Sequence, residues 1–190
     1  VLKRALLAPF FVAQKKNKKR IRGRGLFNLI KKRSTLWILF VLTLMLTFSF
    51  SYVAEQYQMS FLDALSDPGE AKALVASFND EQIRVHIWVT AVLDVLYPLV
   101  YGMFFAGVAL ASFRHFGFFL AIPAFLVIPV DIAEGLVQIS GLRGHIDWLD
   151  WKIVLTPLKF GLFLIALTIS VVAGIQWIIE TVKTWLASSS

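Results

Sequence analysis

Residues 85–112, VHIWVTAVLDVLYPLVYGMFFAGVALAS, form an apolar run broken by a single carboxylate, Asp94. A helix crosses the hydrocarbon core with about 20 such residues, whereas an open strand would leave its backbone unsatisfied in lipid. Comparable runs occupy residues 36–54, 116–139 and 153–179. The chain therefore reads as an all-α polytopic membrane protein, with four transmembrane helices in an antiparallel bundle spanning residues 35–185. The composition agrees: 58% of the 190 residues are hydrophobic and 16% charged, with a mean hydropathy of +0.73. Soluble domains carry about 25% charged residues. The absence of cysteine excludes disulfides, thiolate metal sites, iron–sulfur clusters and cysteine nucleophiles together.

The net charge of +7 belongs to one end of the chain. Twelve of the nineteen Lys and Arg residues precede the first span, and the first acidic residue is Glu55. Lys15, Lys16, Lys18, Lys19, Arg20, Arg22 and Arg24 form a nearly continuous basic run, and Lys31, Lys32 and Arg33 abut the first span. Such clusters are drawn to anionic headgroups by about 1 kcal/mol per residue. These residues are predicted lipid-surface contacts, and nucleic acid is not a predicted partner. Residues 1–34 read as a cytoplasmic arm with an interfacial helix in its apolar start, Val1 to Ala13, rather than as a signal peptide. Retention of basic residues on the cytoplasmic side places the N-terminus inside, and four spans return the polar tail, 186–190, to the same side.

Between the first two spans, residues 55–82 hold an outer amphipathic segment. Asp67, Pro68 and Glu70 read as N-cap, N1 and N3 of a helix, with Ala71, Leu74, Val75 and Phe78 on its apolar side. Ser60 and Asp63 suggest a short turn before it, and Asn79 or Asp80 caps the second span. The whole segment reads as an interfacial spacer, with a lid over a cavity as the alternative. Trp148 and Trp151, with Trp37, Trp88, Trp177 and Trp185, read as an aromatic belt at headgroup level.

Four charges inside the spans demand compensation, because each costs roughly 2.5 to 3.5 kcal/mol at mid-membrane. With a rise of about 1.5 Å per residue, Asp94 lies roughly 15 Å from the outer boundary, Asp131 roughly 12 Å, Glu134 roughly 8 Å and Lys159 about 10 Å. Asp94, Tyr97 and Tyr101 share one helical face, and Asp131 and Glu134 share another. Asp94, Tyr97, Tyr101, Asp131, Glu134 and Lys159 are therefore the candidate ligand- or ion-binding residues. Pro98, Pro123, Pro129 and Pro157 read as breaks inside helical runs, and Gly102, Gly107, Gly135 and Gly161 as points of close helix approach. Two arrangements fit the charges. Lys159 could pair with Asp94 or Asp131 while the tyrosines cap the remaining oxygens, or the surplus of carboxylates could hold a proton, a cation, a polar ligand or water.

His86 and His145 are the candidates for a metal or haem, since paired histidines can ligate haem iron. No attachment motif accompanies them, and no cofactor is predicted. His145, Asp147 and Asp150 form a second metal-capable set by residue type, with an ordinary polar loop as the simpler reading.

The run Asp94-Val95-Leu96-Tyr97-Pro98-Leu99-Val100-Tyr101-Gly102, with Asp131, Glu134 and Lys159, resembles a pattern in small uncharacterised four-helix bacterial inner-membrane proteins. In that pattern an Asn follows the acidic pair, where this chain has Gly135. The resemblance covers the last three spans and implies a multi-pass protein of the bacterial cytoplasmic membrane with a site built from these residues, without implying an activity. The function expected from the sequence is that of a non-catalytic accessory or assembly subunit of a larger membrane complex. The alternatives are binding or transport of a cation, a proton or a small polar lipid through the carboxylate–lysine cluster, and an enzyme using Asp131 or Glu134 as acid or base.

Overall fold

The computed structural model describes residues 21–113 and 115–188. Helix α1 (Ile21–Ile30) leads into the first long helix, α2 (Arg33–Gln56). A 3-10 turn (Leu62–Ala64) and helix α3 (Pro68–Ser77) connect it to α4 (Asp80–Ser112). A short helix, α5 (Gly117–Leu120), starts the third span, which continues as α6 (Ile122–Leu142). A second 3-10 turn (Ile146–Trp151) precedes α7 (Lys152–Ser188). Four stretches, Arg33–Gln56, Asp80–Ser112, Gly117–Leu142 and Ile146–Ile179, are long and apolar enough to cross a membrane.

Helix α4 is the hub, packing on α2, α6 and α7, while α7 also packs along α6. Small residues permit this closeness. Ala106, Ala109, Ala121 and Ala124 are buried where α4 meets α5 and α6, and beside them Phe163 packs edge to face on Tyr101 and Phe105, whose own rings are tilted against each other. Without a hydrophobic force between helices in lipid, such interfaces depend on close van der Waals contact. At Gly102 the approach is tightest: a Cβ there would lie 2.6 Å from Ile128 Cγ1 and 2.9 Å from the Ala124 carbonyl oxygen. Gly161 departs from the sequence expectation, since a Cβ there would meet nothing within 4 Å.

The connections are built as their sequences require. Asp67 Oδ1 accepts from the Glu70 amide at 2.8 Å, and Pro68 begins α3. Asn79 and Gln82 form a reciprocal capping box at the start of α4, and Gln82 Nε2 also donates to the Tyr57 carbonyl at 3.2 Å. One side chain thus joins the end of α2 to the start of α4. Leu62, Ala71, Val137, Leu142 and Leu149 form a second apolar core under this end of the bundle. The segment before α4 is therefore packed onto the helices, which a plain interfacial spacer would not be. Pro98, Pro129 and Pro157 lie inside helices, but Pro123 sits in the first turn of α6, where a missing N–H leaves no intrahelical bond unmade.

At the opposite end α1 docks on the bundle, with Ile30 buried and the Phe27 ring edge-on to Phe118 and Phe125. Its position is made possible by Gly107, whose missing side chain leaves room for the Ile30 carbonyl oxygen. The Arg33 guanidinium lies 5.1 Å from the Trp177 ring centre, so the start of α2 and the second half of α7 meet at this end. Trp37, Trp88, Trp148, Trp151 and Trp177 are all exposed, as residues of an aromatic belt must be.

Substituting Gly102→Val should force α4 and α6 apart and destabilise the bundle by about 1–3 kcal/mol, the usual cost of overpacking. Gly161→Ala should leave the unfolding midpoint in mixed detergent micelles within experimental error. Equal midpoints for both variants would remove Gly102 as the point of closest packing.

Candidate functional site

The charged residues of the last three spans converge with a fourth carboxylate from outside them. Lys159 Nζ on α7 contacts Glu134 Oε2 at 2.6 Å, Asp131 Oδ1 at 3.3 Å and Asp63 Oδ1 at 3.3 Å. Of the two pairings expected for Lys159, the one with Asp131 forms. Its shortest contact is instead to Glu134, and Asp94 is not among its ion-pair partners. Asp131 Oδ2 accepts a 2.8 Å hydrogen bond from the Tyr101 hydroxyl, as a capping tyrosine should provide. Tyr97 departs from that role. Its hydroxyl pairs with Thr47 on α2 at 3.2 Å and so ties the first span to the site.

Glu134 is the most enclosed member. Its Oε1 accepts from Lys152 Nζ and Thr156 Oγ1, its Oε2 faces Lys159, and Glu134, Lys152 and Thr156 are all at most 1% exposed. Lys152, Thr156 and Lys159 follow at i, i+4 and i+7 along α7, which puts them on one helical face. Asp131, Glu134 and Gln138 do the same at i, i+3 and i+7 on α6. These two stripes meet between the helices. In the sequence Lys152 stands at the head of the apolar run 153–179 and reads as the boundary of a span; its partner Glu134, 18 positions earlier, is what gives it a role.

Asp63 is the residue that sequence reasoning missed. It lies in the 3-10 turn, flanked by Phe61, Leu62 and Leu65, and accepts from Gln138 Nε2 at 3.1 Å as well as facing Lys159. A carboxylate embedded in the apolar run FLDAL was its one local signal. Burial opposes its ionisation, yet the Lys159 ammonium, the Gln138 amide and the Lys152 ammonium together hold its carboxyl below the ordinary value of 3.8. Oxygens of Asp63, Asp94 and Asp131 lie within 4.8 Å of one another, a spacing that could hold a cation. Asp94 is 6% exposed, and its Oδ2 has no hydrogen-bond partner among the described residues.

A cavity of ≈ 340 Å³ opens onto this trio, walled by α2, α4 and α7 and by Phe61 of the connection. Its floor is Asp94, Tyr101 and Asp131, all buried, and its rim includes exposed Thr47, Ser51 and Phe160. These rim residues belong to α2 and α7. Thr47 is about 13 Å from the nearer end of its helix at 1.5 Å per residue, so the opening is at hydrocarbon height.

The two histidines occupy unlike environments. His86 is fully buried, stacked on Phe61 at 5.4 Å and tilted against Phe78 at 5.6 Å, and neither ring nitrogen has a hydrogen-bond partner among the described residues. His145 is exposed at the start of the second 3-10 turn, where Asp147 and Asp150 are also exposed and Asp150 pairs with Lys72 at 2.7 Å. The acidic set that converges is thus the buried one, rather than this loop. Of the basic arm, Lys15, Lys16, Lys18, Lys19 and Arg20 fall outside the described residues, as does the helix expected over Val1 to Ala13, and Arg22 and Arg24 fall on α1. Lys31, Lys32 and Arg33 are exposed, and Lys31 lines a second cavity of ≈ 360 Å³ with Asn28 and His115.

No protein-family model, curated protein or solved structure matches this chain.

Removing one partner of a buried ion pair strands the other charge and typically costs about 3–5 kcal/mol. Lys152→Met and Glu134→Gln should each destabilise the bundle on that scale. The double variant should be less destabilised than their sum by about 1–3 kcal/mol; strict additivity in a detergent unfolding series would mean that the two side chains do not act as a pair.

The Asp63 anchor is sensitive to pH in a defined direction. A carboxyl depressed on folding stabilises the folded state above its unfolded pKa, and that contribution is lost as pH falls through the folded value. With the folded value below 3.8, the anchor persists from neutral pH to about 4 and weakens below that. A nitroxide attached through Ser60→Cys, in a chain with no other cysteine, should stay immobilised down to pH 4 and gain mobility only below it. With Asp63→Asn added, it should be mobile at every pH; an immobile label in that variant would show that Asp63 does not hold the turn.

Proposed function

We propose that the protein binds a positively charged ligand within the membrane, with Asp94, Asp131 and Asp63 as its acceptors. The observation that carries this reading is Asp94, whose buried Oδ2 has no hydrogen-bond partner among the described residues and which lines the cavity. Among the described residues the cluster holds four carboxylates, Asp63, Asp94, Asp131 and Glu134, and two ammonium groups, Lys152 and Lys159, which leaves two negative charges over. In a medium where each uncompensated charge costs several kcal/mol, the surplus calls for a proton or a cation. Lys152, Thr156 and Lys159 already satisfy Glu134. Asp94 retains acceptor capacity.

The same distribution argues against an acid–base role for Glu134. That carboxylate is fully buried and is not among the residues lining the cavity, so a substrate there would not reach its oxygens. An accessory role in a larger complex draws no residue-level support from the bundle: α2 buries only Leu39, but lipid covers such a face as well as a protein partner would. The basic residues of the arm support a cytoplasmic N-terminus and, with the resemblance noted above, a bacterial cytoplasmic membrane.

The test is equilibrium binding to the full chain in lipid nanodiscs, with a panel of inorganic cations and small organic ammonium ions. At least one should bind, and Asp94→Asn should weaken it about tenfold or more, the loss expected for one charge-assisted hydrogen bond worth about 1.5–3 kcal/mol. Failure of every cation to bind, or equal affinity in Asp94→Asn, would overturn the proposal.

A further inference from the structure

We infer that the ligand is a membrane-dissolved primary amine, an ammonium head on an apolar body, which reaches the carboxylates sideways between α2 and α7. The inference rests on the cation-binding reading and names the occupant of that same site.

Size is the first argument. A cavity of ≈ 340 Å³ is on the scale of small-molecule pockets, which begin at about 300 Å³, and far exceeds the roughly 30 Å³ share of one water. The walls are the second. Away from the carboxylates they are largely aromatic, with Phe50, Phe160 and Phe163 prominent. A dehydrated inorganic cation such as calcium seeks 6–8 oxygen ligands, which rings do not supply. An alkylammonium can use them, through cation–π attraction at its head and packing along its body. The ring of Phe160 already has the Lys159 ammonium 5.4 Å from its centre.

The acceptor geometry narrows the head group. Three carboxylate oxygens within 4.8 Å of one another suit a centre that donates three hydrogen bonds. A primary ammonium has three N–H donors, and tetrahedral N–H···O contacts of about 2.8 Å put their acceptors about 4.6 Å apart. A quaternary ammonium has no N–H and a larger radius. The contacts of Lys159 to Asp63 and Asp131, both 3.3 Å, are long compared with its 2.6 Å contact to Glu134, so a second ammonium can share the two aspartates while Lys159 stays anchored.

The route is the last argument. The rim residues Thr47, on α2, and Phe160, on α7, are exposed, both lie within spans apolar enough to cross a membrane, and α2 and α7 each pack on α4, so a ligand dissolved in the bilayer would meet the cavity from the side at these two helices. A lipid that also carries a phosphate fits less well, because its anion would lie against the same carboxylates, with Lys159 already committed to Glu134.

The decisive experiment follows thermal unfolding of the full chain in phosphatidylcholine nanodiscs during titration with octylamine, octyltrimethylammonium, octanol, sodium chloride and calcium chloride. Octylamine should raise the unfolding temperature saturably, with an apparent affinity at least tenfold above that of octyltrimethylammonium and no effect from octanol. Asp94→Asn should weaken the octylamine effect about tenfold. Ser51→Trp, at an exposed rim residue that is not one of the acceptors and that leaves the Thr47–Tyr97 hydrogen bond in place, should weaken it too, and this variant keeps the test sharp if the Asp94 substitution impairs folding. Stabilisation by sodium or calcium but not octylamine would overturn the inference and leave the cation-binding reading standing. No response to any cation would remove both. An octylamine response unchanged in both variants would be partitioning into the bilayer, and would overturn the inference.

Discussion

Glu134 anchors the polar interior. Its two oxygens are shared among Lys152, Lys159 and Thr156, so a single carboxylate of α6 holds three side chains spaced along α7. In a low-dielectric interior this arrangement resists sliding, because a shift of either helix would separate buried opposite charges at a cost of several kcal/mol. The register of α6 against α7 follows from it. So does the position of Lys159, the ammonium that then faces Asp131 and Asp63.

Around that anchor the rest of the cluster divides into satisfied and unsatisfied parts. Tyr101 and Lys159 engage Asp131, and Gln138 and Lys159 hold the connecting turn through Asp63. Asp94 is left with an oxygen that has no hydrogen-bond partner among the described residues, beside a cavity whose exposed rim residues belong to α2 and α7. Structural and functional roles therefore need not compete within one cluster. Glu134 and Lys152 fix the helices, and the opposite side, around Asp94, carries the capacity for a ligand. The apolar cores above and below, at Leu62 with Leu149 and at Tyr101 with Phe163, keep both parts in place.

Much of the bundle was legible because its signals are local. Apolar run length marks the spans, the Asp67-Pro68-Gly69-Glu70 run marks the start of α3, and Asn79 or Asp80 marks the start of α4, where the structure selects Asn79 as the cap. The i, i+3 and i+7 spacings put Asp94 with Tyr101 on one helical face and Asp131 with Glu134 on another before any contact was known. Partner choice was less legible. Tyr97 shares a helical face with Asp94 but reaches Thr47, because α2 lies close enough to compete for its hydroxyl. Asp63 and Lys152 were read as parts of a connection and a boundary, since their importance depends on residues 75 and 18 positions away in sequence.

The sequence by itself determined that the chain is helical and able to cross a membrane four times, since length and hydropathy leave its backbone few other ways to be satisfied in lipid. It also determined that carboxylates outnumber cations within that apolar interior. Only the tertiary structure decided how the imbalance is distributed: Glu134 neutralised by two lysines, Asp63 brought in from a connection, and Asp94 left with acceptor capacity beside a cavity. The reason is physical. Hydropathy is a sum over neighbouring residues and survives any arrangement of the helices, whereas the pairing of charges depends on distances of 2–4 Å between residues far apart in the chain, which only packing sets.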